Sequence, residues 1–375
     1  MCGIVVSITS GSSPESILSP LTPYISSRGP DSIQTHTVHL PLVNSTSQTT
    51  NLTVTFTSSV LHLRGPEITV QPLISQSGNI LCWNGEIWKG IPIQDCENDG
   101  LKLLQELERG NDKVWKVMER IEGPWAMVYY EVETKKIWFG RDCLGRRSLL
   151  KRELNGEGMV LSSVGSIMEG WEEVGVEGLW CLDLQDWTEG MKMKPNLYPW
   201  IWKDEAPQQA GVMVRSPQAC ILRYEVRPYP PMNRILPCDE DKDIQTPSQF
   251  LEILRAAISI RTRTIPQTHT YLHQNGHEVA PRVAILYSGG LDCSVIAWLI
   301  HTLLAPEEAI DLINVAFENP RTLHALKVPK EEIYNVCPDR ITGRAGWEEL
   351  QILSKESNRH WRFIEVFRNQ AILSN

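Results

Sequence analysis

The sequence predicts two domains of different fold class: a strand-rich N-terminal domain with a few helices, and a C-terminal α/β domain. Short apolar segments separated by polar turns dominate roughly the first 200 residues, as in sheets built of short strands. A strand, a glycine-containing loop, a helix and a second strand follow in order after position 282, which is the pattern of a βαβ unit. The length of 375 residues also fits two domains better than one.

Strands in the N-terminal domain are predicted from runs of apolar and β-branched residues. They are Gly3–Thr9, Asn51–Leu63, Ile80–Trp83, and a hairpin of Trp125–Val132 with Lys136–Gly140. Two helices interrupt them. The first begins at Asn98 or Asp99, since either residue could cap it. Its apolar face is formed by Leu101, Leu104 and Leu107. The second covers about Asp112–Ile121 and ends at Gly123-Pro124. Residues 165–200 have no clear assignment.

A surface linker is predicted over residues 204–245, which are rich in proline and polar residues and include the acidic run 239–243. The predicted domains are therefore residues 1–203 and 246–375. A helix opens the second domain, with Thr246 as N-cap, Pro247 at the first helical position and Gln249 completing a capping box.

The βαβ unit begins with Arg282–Tyr287, a mostly apolar run suited to a strand that is buried on both faces. The loop Ser288–Asp292 follows. A helix over about Asp292–Leu304 and a strand over Asp311–Phe317 come next. Because a crossover helix joins parallel strands, the second domain is predicted to contain a parallel sheet.

Composition and charge exclude several classes of function. The formal net charge of −9 argues against a nucleic-acid partner, because contacts to phosphates need clustered lysine and arginine. No apolar run reaches about 18 residues, so no membrane-spanning helix is expected. The nine cysteines are scattered and form no CxxC pair, which favours reduced thiols over disulfides or a zinc site. Met1 is not followed by a secretory signal, and we expect a soluble cytoplasmic protein with no metal centre.

Cys2 is a candidate nucleophile because of its position. The initiator methionine is normally removed when residue 2 is small, which would leave Cys2 with a free α-amino group. Such a group has a pKa of roughly 7.7–8.0, so a useful fraction is unprotonated near neutral pH and could accept the thiol proton. The alternative is a chance cysteine at a frayed terminus.

Three further sites in the N-terminal domain each have a functional and a structural interpretation. Asn84-Gly85-Glu86 is typical of a hairpin turn, but an asparagine amide and a glycine N–H aimed at one point also make an oxyanion hole. Arg64 could bind a carboxylate with two parallel hydrogen bonds, or be a solvated charge at a strand end. Asp99 could bind an ammonium group or only cap a helix.

The loop Ser288–Asp292 lies between a predicted strand and a predicted helix. Glycines let a backbone approach a phosphate closely, and the N–H groups at a helix N-terminus then face the anion. The loop lacks the glycine spacing of a dinucleotide-binding fingerprint and the Gly-Lys-Ser/Thr of a P-loop. It predicts a phosphate site without a P-loop lysine.

Five motifs in one order resemble a class II glutamine amidotransferase domain, which has an N-terminal-nucleophile fold. They are Cys2-Gly3-Ile4, Arg28-Gly29-Pro30-Asp31, Asn84-Gly85-Glu86, Gly123-Pro124-Trp125-Ala126 and Gly140-Arg141-Asp142. The loop Ser288–Asp292 resembles the pyrophosphatase loop of asparagine synthetases, and the chain to about Val366 is similar to the eukaryotic asparagine synthetase domain-containing subfamily. The resemblance implies an α+β first domain of stacked antiparallel sheets with helices. It implies a second domain of the α/β pyrophosphatase-loop type, similar to adenine nucleotide α-hydrolases.

The resemblance also implies roles for the candidate residues of the first domain. Cys2 would attack the side-chain amide of glutamine with its own amine as the base, and Asn84 and Gly85 would stabilise the oxyanion. Arg64 would hold the α-carboxylate of glutamine. Its α-amino group would be held by Glu86 and Asp99, although Asn98-Asp99-Gly100 departs from the commoner Ser/Thr-Asp-Cys-Glu form of that motif.

For the second domain, the resemblance implies that ATP binds with Mg²⁺, that aspartate is activated as an aspartyl adenylate, and that ammonia from the first site gives asparagine. The residues that would contact ATP are Ser288, Gly289, Gly290, Leu291, Asp292 and Cys293, with backbone groups near Val315 and Phe317 at the adenine. Cys293 stands where the family motif has serine or threonine, and a thiol is a weaker donor to phosphate.

Synthetase domains of this family continue well beyond the point that corresponds to Asn375, so we expect the second domain to be truncated. Three interpretations stay open. The chain is a glutamine-hydrolysing, asparagine synthase-like ligase, or an amidotransferase with glutaminase activity alone, or a non-catalytic regulatory protein that keeps the fold. The sequence predicts glutamine and aspartate as substrates for the first interpretation and indicates no oligomeric state.

Overall fold

The chain divides into two units, Met1–Leu236 and Pro237–Asn375, each of which is described by itself. The computed structural model describes residues 1–10, 13–43, 49–65, 67–94, 97–110, 113–154, 156–165, 170–185, 187, 192–200, 245–263, 265, 281–317 and 333–368. The boundary between the units falls inside the predicted linker 204–245, nearly all of which lies outside the described residues.

Short strands of the first unit form two antiparallel sheets of six strands each within the described residues. In spatial order, the first sheet contains β10 (Glu172–Glu173), β8 (Leu150–Glu153), β9 (Gly158–Ser162), β1 (Gly3–Thr9), β3 (Thr49–Val60) and β2 (Ser32–Val43). The second sheet contains β12 (Asn196–Pro199), β11 (Gly178–Asp183), β7 (Lys136–Arg141), β6 (Trp125–Glu131), β5 (Ile80–Gly85) and β4 (Leu73–Ile74). The helices described in this unit are α1 (Pro14–Arg28), α2 (Asp99–Glu108) and α3 (Val114–Glu119).

Side chains alternate between the two faces of each strand. One face of each sheet therefore packs against the other sheet, and the outer face packs against helices. In β6, Ala126, Val128 and Tyr130 enter the core between the sheets. The intervening Trp125, Met127 and Tyr129 pack in a second core that includes α2 and α3. In β1, Ile4, Val6 and Ile8 face the inter-sheet core, while Val5 packs against α1. The first unit is therefore an α+β arrangement of four layers, helix–sheet–sheet–helix.

Most predicted elements of the first unit are confirmed, with three differences near the candidate site. Leu101 does not belong to the apolar face of α2, because it is 41% exposed and Leu103 is buried with Leu104 and Leu107 instead. The hairpin of β6 with β7 forms as predicted. The strand predicted to reach Leu63 ends at Val60, so Leu61–Arg64 leave the sheet. Asn84 and Gly85 do not form a hairpin turn, because they are the last residues of β5 and pair with β6. The unassigned stretch 165–200 contains β10, β11 and β12.

The second unit contains the predicted parallel βαβ unit. Its strands are β13 (Val283–Leu286), β14 (Ile310–Phe317) and β15 (Trp361–Arg368), with β14 between the other two and all pairs parallel. Its helices are α4 (Gln245–Thr262), α5 (Leu291–Leu303) and α6 (Pro338–Leu353), followed by a 3-10 turn at Lys355–Ser357. Thr246 was predicted to be the N-cap of the first helix with Pro247 as its first residue, but the helix begins two residues earlier, at Gln245, and includes Thr246.

The prediction that Arg282–Tyr287 is buried on both faces is wrong. Val283 and Ile285 are buried, but Ala284 is exposed and Leu286 is 75% exposed. Residues of α4, α5 and α6 all join the apolar cluster around Val283 and Ile285. An apolar run shows that a strand is hydrophobic, but not which of its faces packs against a helix.

Of the helices that the structure describes, none combines the length and apolar composition that a membrane crossing requires.

The inter-sheet core predicts a position-dependent loss of stability. Ile8 is fully buried between the sheets, so Ile8→Ala should lower the free energy of unfolding of the first unit by about 2–5 kcal/mol. The same substitution at the exposed Ile33 should cost less than about 1 kcal/mol. Urea denaturation followed by tryptophan fluorescence measures both, and equal losses would contradict the assignment of Ile8 to the core.

Candidate functional site

A cleft in the first unit brings together all six residues that the sequence predicts for the N-terminal site. Its lining includes Cys2, Arg64, Asn84, Gly85, Glu86 and Asp99. These residues come from the position before β1, the loop after β3, the end of β5 with the residue that follows it, and the start of α2. The cavity volume is about 50 Å³ with Met1 among the lining residues, so removal of Met1 would enlarge the cleft.

Cys2 precedes β1, which pairs with β3 so that Gly3 lies opposite Ser59. The Cys2 Sγ donates to the Leu61 carbonyl at 3.8 Å, and Arg28 Nε donates to the Cys2 carbonyl at 3.4 Å. Burial raises the pKa of the Cys2 thiol. Burial also lowers the pKa of the Met1 α-amino group, and the charges of Arg28 and Arg147 lower it further. Both effects favour the neutral forms of a thiol and an amine at this end of β1.

The motif Arg28-Gly29-Pro30-Asp31 holds the loop that carries Arg64. The Asp31 amide donates to the Val60 carbonyl at 3.1 Å, at the point where β3 ends. The Asp31 carboxylate accepts from the His62 amide at 2.7 Å. Because the motif also contacts Cys2 through Arg28, it connects the segment that contains Cys2 with the loop that carries Arg64.

Arg64 and Asp99 place opposite charges in the cleft. Arg64 is 7% exposed, and its Nη2 has no hydrogen-bond partner among the residues that the structure describes. Asp99 is also buried and accepts from the Ile87 amide at 3.1 Å and from the Gly100 amide at 2.9 Å. Burial raises the pKa of the Asp99 carboxyl, and the Arg64 charge opposes that shift. A buried guanidinium and a buried carboxylate in one cleft match the two charges of an α-amino acid.

The structure also separates the two interpretations of Asp99. Asn98 is the N-cap of α2, because its Oδ1 accepts from the Leu101 amide at 3.1 Å. The Asn98 Nδ2 donates to the Arg64 carbonyl at 3.4 Å. Capping therefore falls to Asn98, and Asp99, the first residue of the helix, lines the cleft.

Asn84 offers an unused hydrogen-bond donor inside the cleft. The residue is 2% exposed, and its Nδ2 has no partner within the described part of the chain. A buried donor without a partner costs about 1–3 kcal/mol, and a bound acceptor would offset that cost.

The Gly85 amide faces the same side of β5 as the cleft-lining Gln71. Successive amides of a strand point to opposite edges. The Glu86 amide donates to the Pro124 carbonyl beside β6 at 2.9 Å, whereas the Trp83 amide donates to Gln71 Oε1 at 2.7 Å. The Gly85 N–H therefore points away from β6, as the Trp83 N–H does. A Cβ at Gly85 would lie 2.7 Å from the Pro124 carbonyl, so this close approach needs glycine.

The Gly140-Arg141-Asp142 motif supports the segment behind Gly85 and does not itself line the cleft. The Asp142 carboxylate accepts from the Trp125 amide at 3.0 Å and from Arg146 Nε at 2.9 Å. Arg146 Nη2 donates to the Gly123 carbonyl at 2.7 Å. The motifs at Gly123-Pro124 and at Asp142 are thus connected, and together they position the end of β5.

Gln71 and Arg147 are among the cleft residues that the site prediction from sequence missed. Arg147 Nη2 lies 3.6 Å from Glu86 Oε1, which places a cation beside the predicted ammonium ligand. Its position in the basic turn directly after Gly140-Arg141-Asp142 was a usable signal. Gln71 carried no signal in the sequence, because its side chain contacts Trp83 only after β4 has paired with β5.

In the second unit, the predicted phosphate loop lies at the N-terminus of α5. Most of the loop is exposed, namely Ser288, Gly290, Leu291 and Asp292. Gly290 is the N-cap residue of α5, and no side chain forms a capping hydrogen bond there. Among the described residues, a Cβ at Gly290 would meet only the Ser288 hydroxyl, at 3.7 Å, so they leave this side of the loop open. Cys293 Sγ donates to the Gly290 carbonyl at 3.2 Å, within the loop itself.

Val315 and Phe317 lie at the carboxyl end of β14, beyond the end of β13. The Tyr287 amide donates to the Ile313 carbonyl at 2.8 Å, so the backbone of Val315, two residues on, faces the same edge. The Phe317 carbonyl accepts from Cys337 Sγ at 3.4 Å. Within the described residues, no group of three or more His, Cys, Asp or Glu side chains could hold a metal ion.

The buried thiol predicts a measurable titration in protein that retains Met1. Because burial raises the thiol pKa, the thiolate of Cys2 should appear at a higher pH in the folded protein than in the same protein unfolded in urea. The pH dependence of iodoacetamide labelling, read from the N-terminal peptide by mass spectrometry, measures the midpoint. A folded-state midpoint at or below the unfolded one would contradict the described burial.

No protein-family model matches the chain. Among solved structures, it is similar to glutamine phosphoribosylpyrophosphate (PRPP) amidotransferase from B. subtilis complexed with ADP and GMP. The TM-score is 0.36 at 16% identity, over 52% of this chain and 49% of that chain. A TM-score of this size supports no conclusion about fold or activity.

Curated relatives match over most of the chain. Asparagine synthetase domain-containing protein 1 of Homo sapiens is 31% identical over 83% of this chain and 59% of its own length. The protein of the same name from Bos taurus is 29% identical over 90% and 63%. The asparagine synthetase domain-containing protein of Saccharomyces cerevisiae is 29% identical over 82% and 50%. The chain thus spans 50% to 63% of the length of these relatives. The predicted resemblance is confirmed, and this chain is a homologue of the asparagine synthetase domain-containing proteins.

Proposed function

We propose that this chain is a glutamine-hydrolysing, asparagine synthase-like enzyme whose first unit releases ammonia from glutamine. The observation that carries the proposal is the cleft itself. Its lining contains Cys2, together with an amide donor of Asn84 and a guanidinium nitrogen of Arg64 that have no hydrogen-bond partner among the described residues. The names of the curated relatives support the same class of enzyme.

The chemistry of the first step follows from the groups at the N-terminus. After removal of Met1, the α-amino group of Cys2 takes the thiol proton and the sulfur attacks the amide carbon of glutamine. The negative charge that develops on the amide oxygen is stabilised by Asn84 Nδ2 and the Gly85 N–H. The C–N bond then breaks, and the ammonium group of Cys2 returns its proton to the leaving ammonia. Water hydrolyses the resulting thioester, which releases glutamate and restores the thiol.

The charges of the cleft select the substrate. Arg64 pairs with the α-carboxylate of glutamine, which would satisfy the guanidinium nitrogen that has no partner in the structure. Asp99 and Glu86 accept from the α-amino group. Because Arg147 already lies beside Glu86, the more buried Asp99 carries the larger share of that contact. A substrate that lacked either charge would leave one of these buried groups unpaired, at a cost of several kcal/mol.

For the second unit, we propose ATP binding at the loop Ser288–Asp292 and amidation of aspartate through an aspartyl adenylate. The open side of Gly290 and the uncapped start of α5 fit a phosphate group, because the N–H groups of a first helical turn point at an anion placed there. Val315 offers backbone groups to an adenine at the neighbouring strand end. Mg²⁺ would enter with the phosphates of ATP and neutralise part of their charge, with Asp292 as the carboxylate of the loop.

The nucleophile assignment predicts that Cys2→Ala abolishes ammonia release from glutamine, because no other group in the mechanism can form the thioester. Cys181→Ala is the matched control, since Cys181 is buried in the core beside α2 and α3 and does not line the cleft. Ammonia release is measured with coupled glutamate dehydrogenase, in protein whose N-terminus is confirmed by mass spectrometry to be Cys2. Continued release from Cys2→Ala would refute the assignment.

The second unit is tested separately by aspartate-dependent exchange of pyrophosphate into ATP. Asp292→Asn should reduce that exchange by about tenfold or more, since it removes a charge beside the phosphates, and should leave glutaminase activity unchanged. Glu307→Gln, an exposed carboxylate after α5, is the control. A folded protein with glutaminase activity but no exchange would support the alternative, an amidotransferase that only hydrolyses glutamine. The absence of both activities would favour a non-catalytic regulatory protein.

A further inference from the structure

We propose that Gln71 is a positioning residue of the glutamine site, whose carboxamide ends the β4–β5 ladder so that the Gly85 N–H stays free for the oxyanion. The inference rests on the proposed glutaminase function. Gln71 belongs to none of the motifs by which the candidate residues were found. It lines the cleft together with Thr69, Trp83 and Gly85.

The register of β4 against β5 shows what would happen if the ladder continued. Leu73 pairs with Leu81 in an antiparallel ladder. Continued by two residues, the same register would set the backbone of Gln71 opposite that of Trp83. Two residues further, it would set the Thr69 carbonyl opposite the Gly85 N–H. Gly85 would then lose the one donor that the proposed mechanism needs.

The ladder instead stops at Leu73, and a side chain takes over. β4 begins only after Pro72, at Leu73. The Trp83 amide donates to Gln71 Oε1 at 2.7 Å, so the side chain of Gln71 supplies the acceptor that a strand backbone would otherwise supply. Gln71 is 6% exposed, which means that this bond is formed away from solvent and leaves the Trp83 amide satisfied.

The next donor on this edge, the Gly85 N–H, is therefore left facing the cleft beside Asn84 Nδ2. The bond to Gln71 fixes the edge of β5 two residues before Gly85, so it also limits where that donor points. A donor that moves by a fraction of an ångström stabilises the oxyanion much less, because that stabilisation comes from groups that already point at the oxygen before the reaction. Gln71 acts through Trp83 and Gly85 and does not need to contact the substrate.

The test is Gln71→Met, which keeps the length of the side chain and removes the acceptor. We expect kcat for glutamine hydrolysis to fall about tenfold or more, with KM changed by less than about threefold, because only the developing oxyanion loses stabilisation. Gln105→Met is the matched control, since Gln105 is exposed on α2 and the chemical change is identical. Gln71→Asn withdraws the oxygen by one methylene and serves as a second variant if the methionine variant does not fold.

A second readout separates positioning from loss of structure. The aldehyde analogue of glutamine adds the Cys2 sulfur to its carbonyl carbon, and the thiol proton is transferred to the carbonyl oxygen, which lies where the oxyanion forms. Its affinity should fall in Gln71→Met in parallel with kcat, while the affinity for the product glutamate should not change. Wild-type kcat and aldehyde affinity in both variants would overturn the inference, as would a rise in KM alone. If the wild-type protein releases no ammonia, the proposed function itself fails. If the wild type is active and the Gln71 variants are equally active, only the inference about Gln71 fails.

Discussion

The pairing of β1 with β3 in one register is the constraint on which the candidate site depends. Gly3 lies opposite Ser59, so Cys2 lies beside the point where β3 ends and the loop to Arg64 begins. A slip of one residue would turn every side chain of β1 to the other face and would move Ile4, Val6 and Ile8 out of the inter-sheet core. A Cβ at Gly3 would lie 2.6 Å from Ser59 Oγ and 2.9 Å from the Ile25 side chain, so the side chains packed at this position leave room only for glycine. The core thus determines the position of the nucleophile.

The cleft combines a rigid frame with unsatisfied polar groups. Asp31 accepts from the His62 amide in the loop that carries Arg64, and Asn98 donates to the Arg64 carbonyl. Asp142 accepts from the amide of Trp125, the residue that pairs with Gly85. Within the part of the chain that the structure describes, the lining contains donors without hydrogen-bond partners, and burial raises the pKa of its Asp99 carboxyl. Such groups reduce the stability of the empty protein, and a bound ligand of matching charge would recover that free energy. The frame and the lining together are what a site preorganised for an amino-acid amide requires.

Local patterns predicted the fold better than they predicted the site. The β6–β7 hairpin and the β13–α5–β14 unit follow from apolar periodicity and turn residues, which act within a short stretch of chain. Asn84-Gly85 shows the limit of this reasoning. Its sequence is typical of a hairpin turn, but pairing with the distant β6 makes it a strand end. Gln71 shows the same limit more strongly, because its side chain matters only after β4 and β5 are paired. The open face of β13 could not be predicted either, since its apolar run says nothing about where the helices pack.

The central claim is that the Cys2 sulfur, with its own α-amino group free, attacks the amide carbon of a bound glutamine. The most direct measurement uses a glutamine analogue with a diazoketone in place of the side-chain amide. A nucleophile held beside its carbonyl carbon is alkylated by the neighbouring diazo carbon, and N₂ leaves. Mass spectrometry of the treated protein should show a single adduct on an N-terminal peptide that begins at Cys2, and free glutamine should prevent its formation. An adduct on another residue, or labelling that glutamine does not affect, would contradict this account of the site.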